Sequence, residues 1–159
     1  MTAKLDPVAA APELMKKWFS TSLAINSSLE PTLAELVEIR ASQINDCANC
    51  INMHTQKARA NGETEQRIYP LSAWREAPCY TDRERAALGW TEALTRLSEG
   101  HTQESAYEAL KAQFTKEEQV NLTLIINVIN GWNRISVGFG GFLDPAAVES
   151  VWAKAKAAD

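Results

Sequence analysis

The chain has 159 residues, 45% of them hydrophobic, which is enough for one domain of ordinary size to bury a core without stabilising disulfides or metals. Its formal net charge of −4, with lysine and arginine scattered along the sequence, argues against binding to nucleic acid or to an anionic membrane. The most apolar stretch, residues 122–129, is too short to cross a bilayer, and no apolar targeting segment follows Met1. We therefore expect a cytoplasmic protein, in which three cysteines do not form a structural disulfide framework.

Four helices are predicted in the first half of the chain. Apolar residues recur there at three- and four-residue spacings, which places them on one face of each helix. The predicted helices span residues 13–26, 31–44, 47–60 and 64–74. Asn45 and Asp46 stand between the second and the third, so we expect this pair to end one helix and to cap the next. Asn61 and Gly62 carry the left-handed signal that closes the third helix.

Two capping boxes, at residues 81–84 and 115–118, begin the long helices of the second half. In each box a threonine stands at the N-cap and a glutamate stands three residues later. The helix that follows the second box is apolar on most of its circumference, so we expect it to be the central, buried helix. A short helix is predicted between them, over residues 105–113, and a last one begins at Asp144 and Pro145.

No segment shows the sustained alternation of apolar and polar residues that a β-strand requires, and no repeat or linker divides the chain. The sequence therefore predicts an all-α fold, one domain over residues 1–159 that is built of seven to eight helices. Asn127, Asn130 and Arg134 add a polar stripe to the apolar helix, and this stripe lines either an active-site cavity or a subunit interface.

The reactive side chains of the sequence are concentrated in residues 45–54. Cys47, Cys50 and His54 stand at i, i+3 and i+7, so a helix brings all three to one stripe of its surface. The N-terminus of that helix favours a thiolate in its first turn, and His54, one turn beyond Cys50, can take up the thiol proton. The second thiol can capture an oxidised sulfur as a disulfide. These are the requirements of a thiol peroxidase.

A Cys-x-x-Cys pair by itself fits a catalytic dithiol, a metal site or ordinary packing about equally well. A metal site would need further ligands, and outside the motif the chain offers only Cys79 and His101. Haem attachment would need a histidine directly after the second cysteine, where Ile51 stands. We therefore expect no metal and no cofactor. Cys79 is interpreted as a half-buried loop residue, and His101 as a surface residue at a helix end.

The segment that contains these residues reads ELVEIRASQINDCANCINMH, residues 35–54. It resembles the AhpD-type core of the carboxymuconolactone decarboxylase superfamily, and residues 69–95 are similar to the segment that follows this core in members of comparable length. The resemblance covers about residues 13–140. It implies an all-helical fold that assembles as homotrimers or homohexamers, and a dithiol peroxidase that reduces organic hydroperoxides. It also implies an external dithiol reductant, either a lipoyl carrier or a thioredoxin-like protein.

The resemblance implies a role for each residue of the motif. Cys50 matches the cysteine that attacks the peroxide, Cys47 matches the resolving cysteine, and His54 matches the histidine of the proton relay. Glu35, twelve residues before Cys47, matches the glutamate that orients the histidine. The helix dipole alone favours a thiolate at the earlier cysteine, so the order of attack is taken from the resemblance and from the i+4 spacing between Cys50 and His54. The best-studied AhpD type has a further histidine where this chain has Asn49, which predicts a weaker proton relay or another substrate.

Two matters stay open at this stage. If the second and third helices form a hairpin that turns near Asp46, Glu38 lies opposite His54 and competes with Glu35 for the orienting role, although the resemblance favours Glu35. The function also has two alternatives. One is a cofactor-free decarboxylase-like enzyme on the same fold, which is disfavoured because such members generally do not rely on a dithiol. The other is a non-catalytic helical oligomer that senses redox state or binds metal.

Overall fold

The computed structural model describes residues 3–100 and 103–141, and the regular structure in these ranges is entirely helical. The α-helices are α1 Pro7–Ala10, α2 Pro12–Asn26, α3 Pro31–Ile44, α4 Ala48–Ala60, α5 Glu65–Ile68, α6 Asp82–Thr95, α7 Gln103–Gln113 and α8 Lys116–Phe139. Two short 3₁₀ segments, Tyr69–Ala73 and Leu97–Glu99, lie before and after α6. The predicted all-α fold of seven to eight helices is confirmed. The predicted helix at Asp144, and His101, lie outside the described residues.

Most helix boundaries follow signals that are local in sequence. Proline stands in the first turn of α1, α2 and α3. Backbone N–H groups in a first turn have no intrahelical acceptor, so a proline there costs no hydrogen bond. Both predicted capping boxes form, at Thr81–Glu84 and Thr115–Glu118, and in each the glutamate carboxylate accepts the threonine N–H at 2.8 Å. Gly62 follows α4 with a φ of 93°, as the predicted left-handed signal requires.

The predicted cap of the third helix is wrong. Cys47, not Asn45 or Asp46, is the N-cap of α4, and its Sγ accepts the backbone N–H of Cys50 at 3.4 Å. Asp46 instead turns the chain between α3 and α4 in the left-handed conformation, with a φ of 53°. The side chain of Asn45 bonds to α8, so a contact that is distant in sequence replaces the expected local cap.

The predicted helix over residues 64–74 is also divided. It ends as an α-helix at Ile68 and continues as a 3₁₀ segment over Tyr69–Ala73. Pro70 lies in the first turn of that segment and has no backbone N–H to donate to a continuing α-helix, which accounts for the change of helix type.

The central helix is α3 and not α8, which corrects the prediction from apolar content. Residues 33–42 of α3 are all buried, and α3 contacts α4, α6 and α8. In contrast, α8 buries one face and leaves Val120, Leu124 and Val137 exposed, at 59%, 40% and 53%. The sequence did not predict the burial of α3, because charged residues are typical of exposed helices. In the structure each charged residue of α3 has an ion-pair partner on a neighbouring element.

The hydrophobic core lies on both sides of α3. One cluster joins α3 to α6, α7 and α8, and another joins it to α4, α6 and the 3₁₀ segment at residues 69–73. A third, smaller cluster contains Cys47 and Cys50 together with Ala41 and Ile129. The cysteine pair therefore lies where α3, α4 and α8 meet. No helix in the described ranges is long and apolar enough to span a membrane.

Candidate active site

The two cysteines of the motif form a buried pair at the beginning of α4. Their Cα atoms are 5.4 Å apart and their sulfurs are joined as a disulfide. Only 1% of Cys47 and 4% of Cys50 is exposed, and Trp132 packs against their cluster. The first turn of α4 contains no acidic residue, so nothing in that turn opposes the positive end of the helix dipole. The pair can therefore alternate between a dithiol and a disulfide within one helical turn.

Buried amides hold the turn that carries Cys47. The Asn45 side chain donates to the side-chain oxygens of Asn130 at 3.0 Å and Asn133 at 2.8 Å, both on α8. Asn133 in turn donates to the hydroxyl of Ser42 at 3.0 Å. The carbonyl of Ser42 accepts the backbone N–H of Cys47, also at 3.0 Å. Because Ser42 and Asn133 are almost fully buried, this network fixes the turn against the core.

The predicted polar stripe of α8 is divided by this network. Asn130 lies inside, whereas Asn127 and Arg134 are exposed, and Arg134 donates to the Asn130 carbonyl at 2.7 Å. Asn133 was missed in the sequence, although its spacing of three residues from Asn130 on one helix was a usable signal.

His54 lies between two buried carboxylates of α3. Its Nδ1 is 2.9 Å from Glu35 Oε2 and 3.2 Å from Glu38 Oε2. The three residues are 6%, 1% and 1% exposed. Glu35 and Glu38 are one helical turn apart on α3, so both reach the same face of α4. The sequence treated these glutamates as competitors, and the structure brings both of them to the histidine.

Two further side chains, which the sequence did not single out, complete the contacts of the carboxylates. Lys57 Nζ lies 2.5 Å from Glu35 Oε1. Asn26, at the end of α2, donates to Glu38 Oε1 at 2.7 Å. The position of Lys57, seven residues after Cys50 on the same helix stripe, was a signal available in the sequence. No signal in the sequence pointed to Asn26, because it lies on a separate helix.

The electrostatics of this cluster favour a charged imidazole. Burial alone lowers the pKa of His54, but the charge of Glu38 and the hydrogen bonds to Glu35 and Glu38 outweigh burial and raise it to about 10. Burial alone raises the pKa of Glu38, but the charge and hydrogen bond of His54, followed by the charge of Lys57, hold it below its usual range. His54 is therefore an imidazolium at neutral pH, with its Nδ1 proton directed at carboxylate oxygens.

Glu35, Glu38 and His54 also form a group whose ligand atoms lie within 4.8 Å of one another, as a metal site would require. The donor set is already occupied by other charges. The Lys57 ammonium contacts one oxygen of Glu35, and His54 would have to lose a proton before it could bind a cation. The cluster thus fits an internal ion-pair network better than a metal.

The other features singled out in the sequence lie apart from this cluster. Cys79 is a half-buried free thiol that packs with the cluster around Trp74 and Tyr80, as the sequence predicted. A surface cavity of about 430 Å³ lies between α6, α7 and Trp74. None of the residues that line it belongs to the cysteine pair or to the His54 cluster.

Comparisons with known proteins identify relatives over most of the chain. The uncharacterized protein YdfG of Bacillus subtilis (strain 168) is 43% identical over 141 residues, which cover 88% of this chain and 96% of YdfG. A crystal structure from Agrobacterium tumefaciens has the name "Protein of Unknown Function ATU0492" and "Putative Antioxidant Defence Protein AhpD". It is 40% identical to this chain with a TM-score of 0.85, and the match covers 90% of this chain and 99% of that one.

A third relative shows the fold alone. The alkylhydroperoxidase AhpD core of a peroxidase-related protein from Ralstonia eutropha JMP134 has 21% identity and a TM-score of 0.72, and the match covers 84% of this chain and 72% of that one.

The model of the carboxymuconolactone decarboxylase family matches residues 12–93, a range that includes Glu35, Cys47, Cys50 and His54. The chain therefore belongs to the carboxymuconolactone decarboxylase family and has its AhpD-like all-helical fold.

Proposed function

We propose that this protein is a thiol-dependent peroxidase of the alkyl hydroperoxide reductase type, which reduces hydroperoxides with Cys47 and Cys50. The observation that carries the proposal is the buried cysteine pair, one helical turn before an imidazole that two carboxylates hold. One relative supports the proposal, since its name includes "Putative Antioxidant Defence Protein AhpD". A fold shared with a peroxidase-related protein is consistent with it but does not by itself decide the reaction.

In the first step, Cys50 acts as the attacking thiolate. The imidazolium of His54, one turn away on α4, and the N-terminus of the helix stabilise its negative charge. The thiolate sulfur attacks one peroxide oxygen, the O–O bond breaks, and the sulfur becomes a sulfenic acid. His54 donates a proton to the leaving alkoxide, which departs as an alcohol. Nδ1 faces the carboxylates, so Nε2 is the nitrogen that exchanges this proton.

In the second step, Cys47 resolves the intermediate. Its thiol condenses with the sulfenic acid of Cys50, water leaves, and the disulfide seen in the structure forms. An external dithiol, carried by a lipoyl group or a thioredoxin-like protein, then reduces the disulfide and is itself oxidised. We place this cycle in the cytoplasm, where a reducing pool can return the pair to the dithiol.

The side chain of residue 49 does not take part in this relay. The Asn49 amide donates to Met53 Sδ at 3.7 Å, four residues along α4, and an amide has no pKa near neutral pH that would let it act as a general acid or base. Proton delivery therefore depends on His54 with Glu35 and Glu38.

We also propose that the protein acts as a homotrimer or homohexamer. The support is the pair Val120 and Leu124, two exposed apolar side chains that lie one turn apart on the same face of α8. Neighbouring exposed apolar side chains are typical of a subunit interface. Light scattering of the purified protein at several concentrations tests this proposal, and a monomer at all of them would contradict it.

Single-turnover thiol counting tests the peroxidase. Reduced protein is mixed with one equivalent of cumene hydroperoxide, and the remaining thiols are titrated. We expect the native protein to lose two thiols for each hydroperoxide consumed. Cys50→Ser should consume none, and Cys47→Ser should stop at a sulfenic acid that a dimedone probe traps. Cys79→Ser is the matched control and should behave as the native protein does. Full hydroperoxide consumption by Cys50→Ser would refute the assignment.

A further inference from the structure

Lys57 occupies an unusual position for a surface lysine. Its side chain is 29% exposed, yet its Nζ lies 2.5 Å from Glu35 Oε1, on a side chain that is 1% exposed. The aliphatic stem therefore lies at the protein surface while the ammonium reaches a buried carboxylate. On α4 the lysine follows Cys50 and His54 at i+7 and i+3, so the three side chains share one stripe.

The ordinary explanation for a lysine in the last turn of a helix is compensation of the helix dipole. Arg59, in the same last turn of α4, fits that explanation, because it pairs with Glu65 and both side chains are about half exposed. Lys57 instead turns inward, towards α3. Arg59 therefore pairs with an exposed carboxylate and Lys57 with a buried one, so Arg59 can serve as the control residue for Lys57.

The buried cluster needs a second cation. Glu35 and Glu38 both place an oxygen within 3.2 Å of one imidazole nitrogen, and both are almost fully buried. Two carboxylates that share one cation in a buried site leave one negative charge unbalanced, which is costly where water is excluded. With the Lys57 ammonium on the outer oxygen of Glu35, two negative charges face two positive charges.

We propose that Lys57 is a positioning residue of the thiol site: its ammonium balances the negative charge of Glu35, so that both glutamates can hold His54 without leaving a net negative charge beside Cys50. This inference rests on the proposed function and adds a residue to it. Burial raises the pKa of Glu38, and the charge of Lys57, after the charge and hydrogen bond of His54, is among the causes that bring it below its usual range. The family resemblance assigned no role to this position.

The test measures the pKa of the Cys50 thiol, which a merely structural residue would not change. Cys47 and Cys79 are replaced by serine so that Cys50 is the only thiol, and its alkylation by iodoacetamide is followed against pH. Lys57→Gln removes one positive charge from the buried cluster, so we expect the Cys50 pKa to rise by about one unit. Alkylation near neutral pH should then be about tenfold slower. Lys57→Arg should stay close to the native value.

Two further variants separate charge balance from packing. Arg59→Gln, in the same helical turn, removes a charge that pairs at the surface and should leave the Cys50 pKa unchanged. The double variant Lys57→Gln with Glu35→Gln leaves one carboxylate and one imidazolium, so its Cys50 pKa should return most of the way to the native value. If Lys57→Gln alone does not fold, the double variant should recover folding for the same reason.

The outcomes distinguish this inference from the proposed function. An unchanged Cys50 pKa in folded Lys57→Gln overturns the role of Lys57. A double variant whose Cys50 pKa is no closer to the native value than that of Lys57→Gln also overturns it. So does a double variant that fails to fold as Lys57→Gln does. Hydroperoxide turnover plays no part in these measurements. Absence of peroxidase activity in the native protein would therefore refute the proposed function. The role of Lys57 would still be tested independently by the Cys50 pKa values of the variants.

Discussion

Raising the pH should remove a large part of the stability of this protein through one side chain. His54 keeps its proton in the folded state up to about pH 10, whereas in the unfolded chain it releases the proton near 6.5. The folded state therefore binds more protons than the unfolded state between these values. The contribution of His54 to stability is fully present below pH 6.5 and is lost as the pH rises towards 10.

The magnitude follows from the same pKa difference. Stability should fall by about 1.4 kcal/mol for each pH unit inside the window, and by about 5 kcal/mol across it. That loss is comparable to the whole free energy of unfolding of many small domains, which is about 5–15 kcal/mol. Glu38 shares this interaction with His54, so its lowered pKa describes the same energy from the other partner and is not added to it.

The assay is urea unfolding of the oxidised protein at pH values from 6.5 to 10. Other groups also titrate in this window, so a reference variant is needed. His54→Gln combined with Glu38→Gln serves, because it removes the titrating pair and retains the ion pair of Glu35 with Lys57. We expect a steep loss of stability in the native protein and a much shallower one in the variant. Equal pH dependence in the two proteins would show that His54 is neutral at pH 7.

Three substitutions, two of them with a control substitution, test backbone strain, helix packing and the buried hydrogen-bond network. Asp46→Val should lower the free energy of unfolding by about 1–2 kcal/mol, because a β-branched residue tolerates a φ of 53° poorly, whereas Asp46→Gly should not destabilise. Gly131→Ala places a Cβ 2.8 Å from the Trp18 ring and should destabilise by about 1–3 kcal/mol. Gly138→Ala, in the same helix with open space around it, is the control and should be neutral or stabilising. Asn133→Ala should cost about 1–3 kcal/mol, because Asn45 and the buried Ser42 each lose a hydrogen bond, and thermal melting that matches the native protein would contradict the network.

Two separate sets of contacts hold the cysteine pair and His54. Buried amides from α8 fix the turn that carries Cys47, and ion pairs from α3 fix His54. These supports come from different helices, so either can be disturbed without the other. We expect Asn133→Ala to affect stability more than the Cys50 pKa, and Lys57→Gln to have the opposite effect.

Features whose causes lie within a few residues could be predicted from the sequence. The two capping boxes and Gly62 after α4 form as predicted, because caps and turns depend on neighbouring backbone groups. The stripe of Cys47, Cys50 and His54 was predictable for the same reason, since the period of one helix sets which of its side chains share a face. The family resemblance added the expectation that an acidic residue of the preceding helix reaches this stripe.

The packing of the helices against one another determines which helix is central and how the buried charged side chains are paired. Apolar content pointed to α8, but α3 is buried because Glu35, Glu38 and Arg40 all find partners on other elements. The use of both glutamates at His54, the inward turn of Lys57 and the capping of α4 by a cysteine depend on contacts between helices. Such contacts follow from how α2, α3, α4 and α8 pack, because a buried charge is stable only where packing brings it a partner.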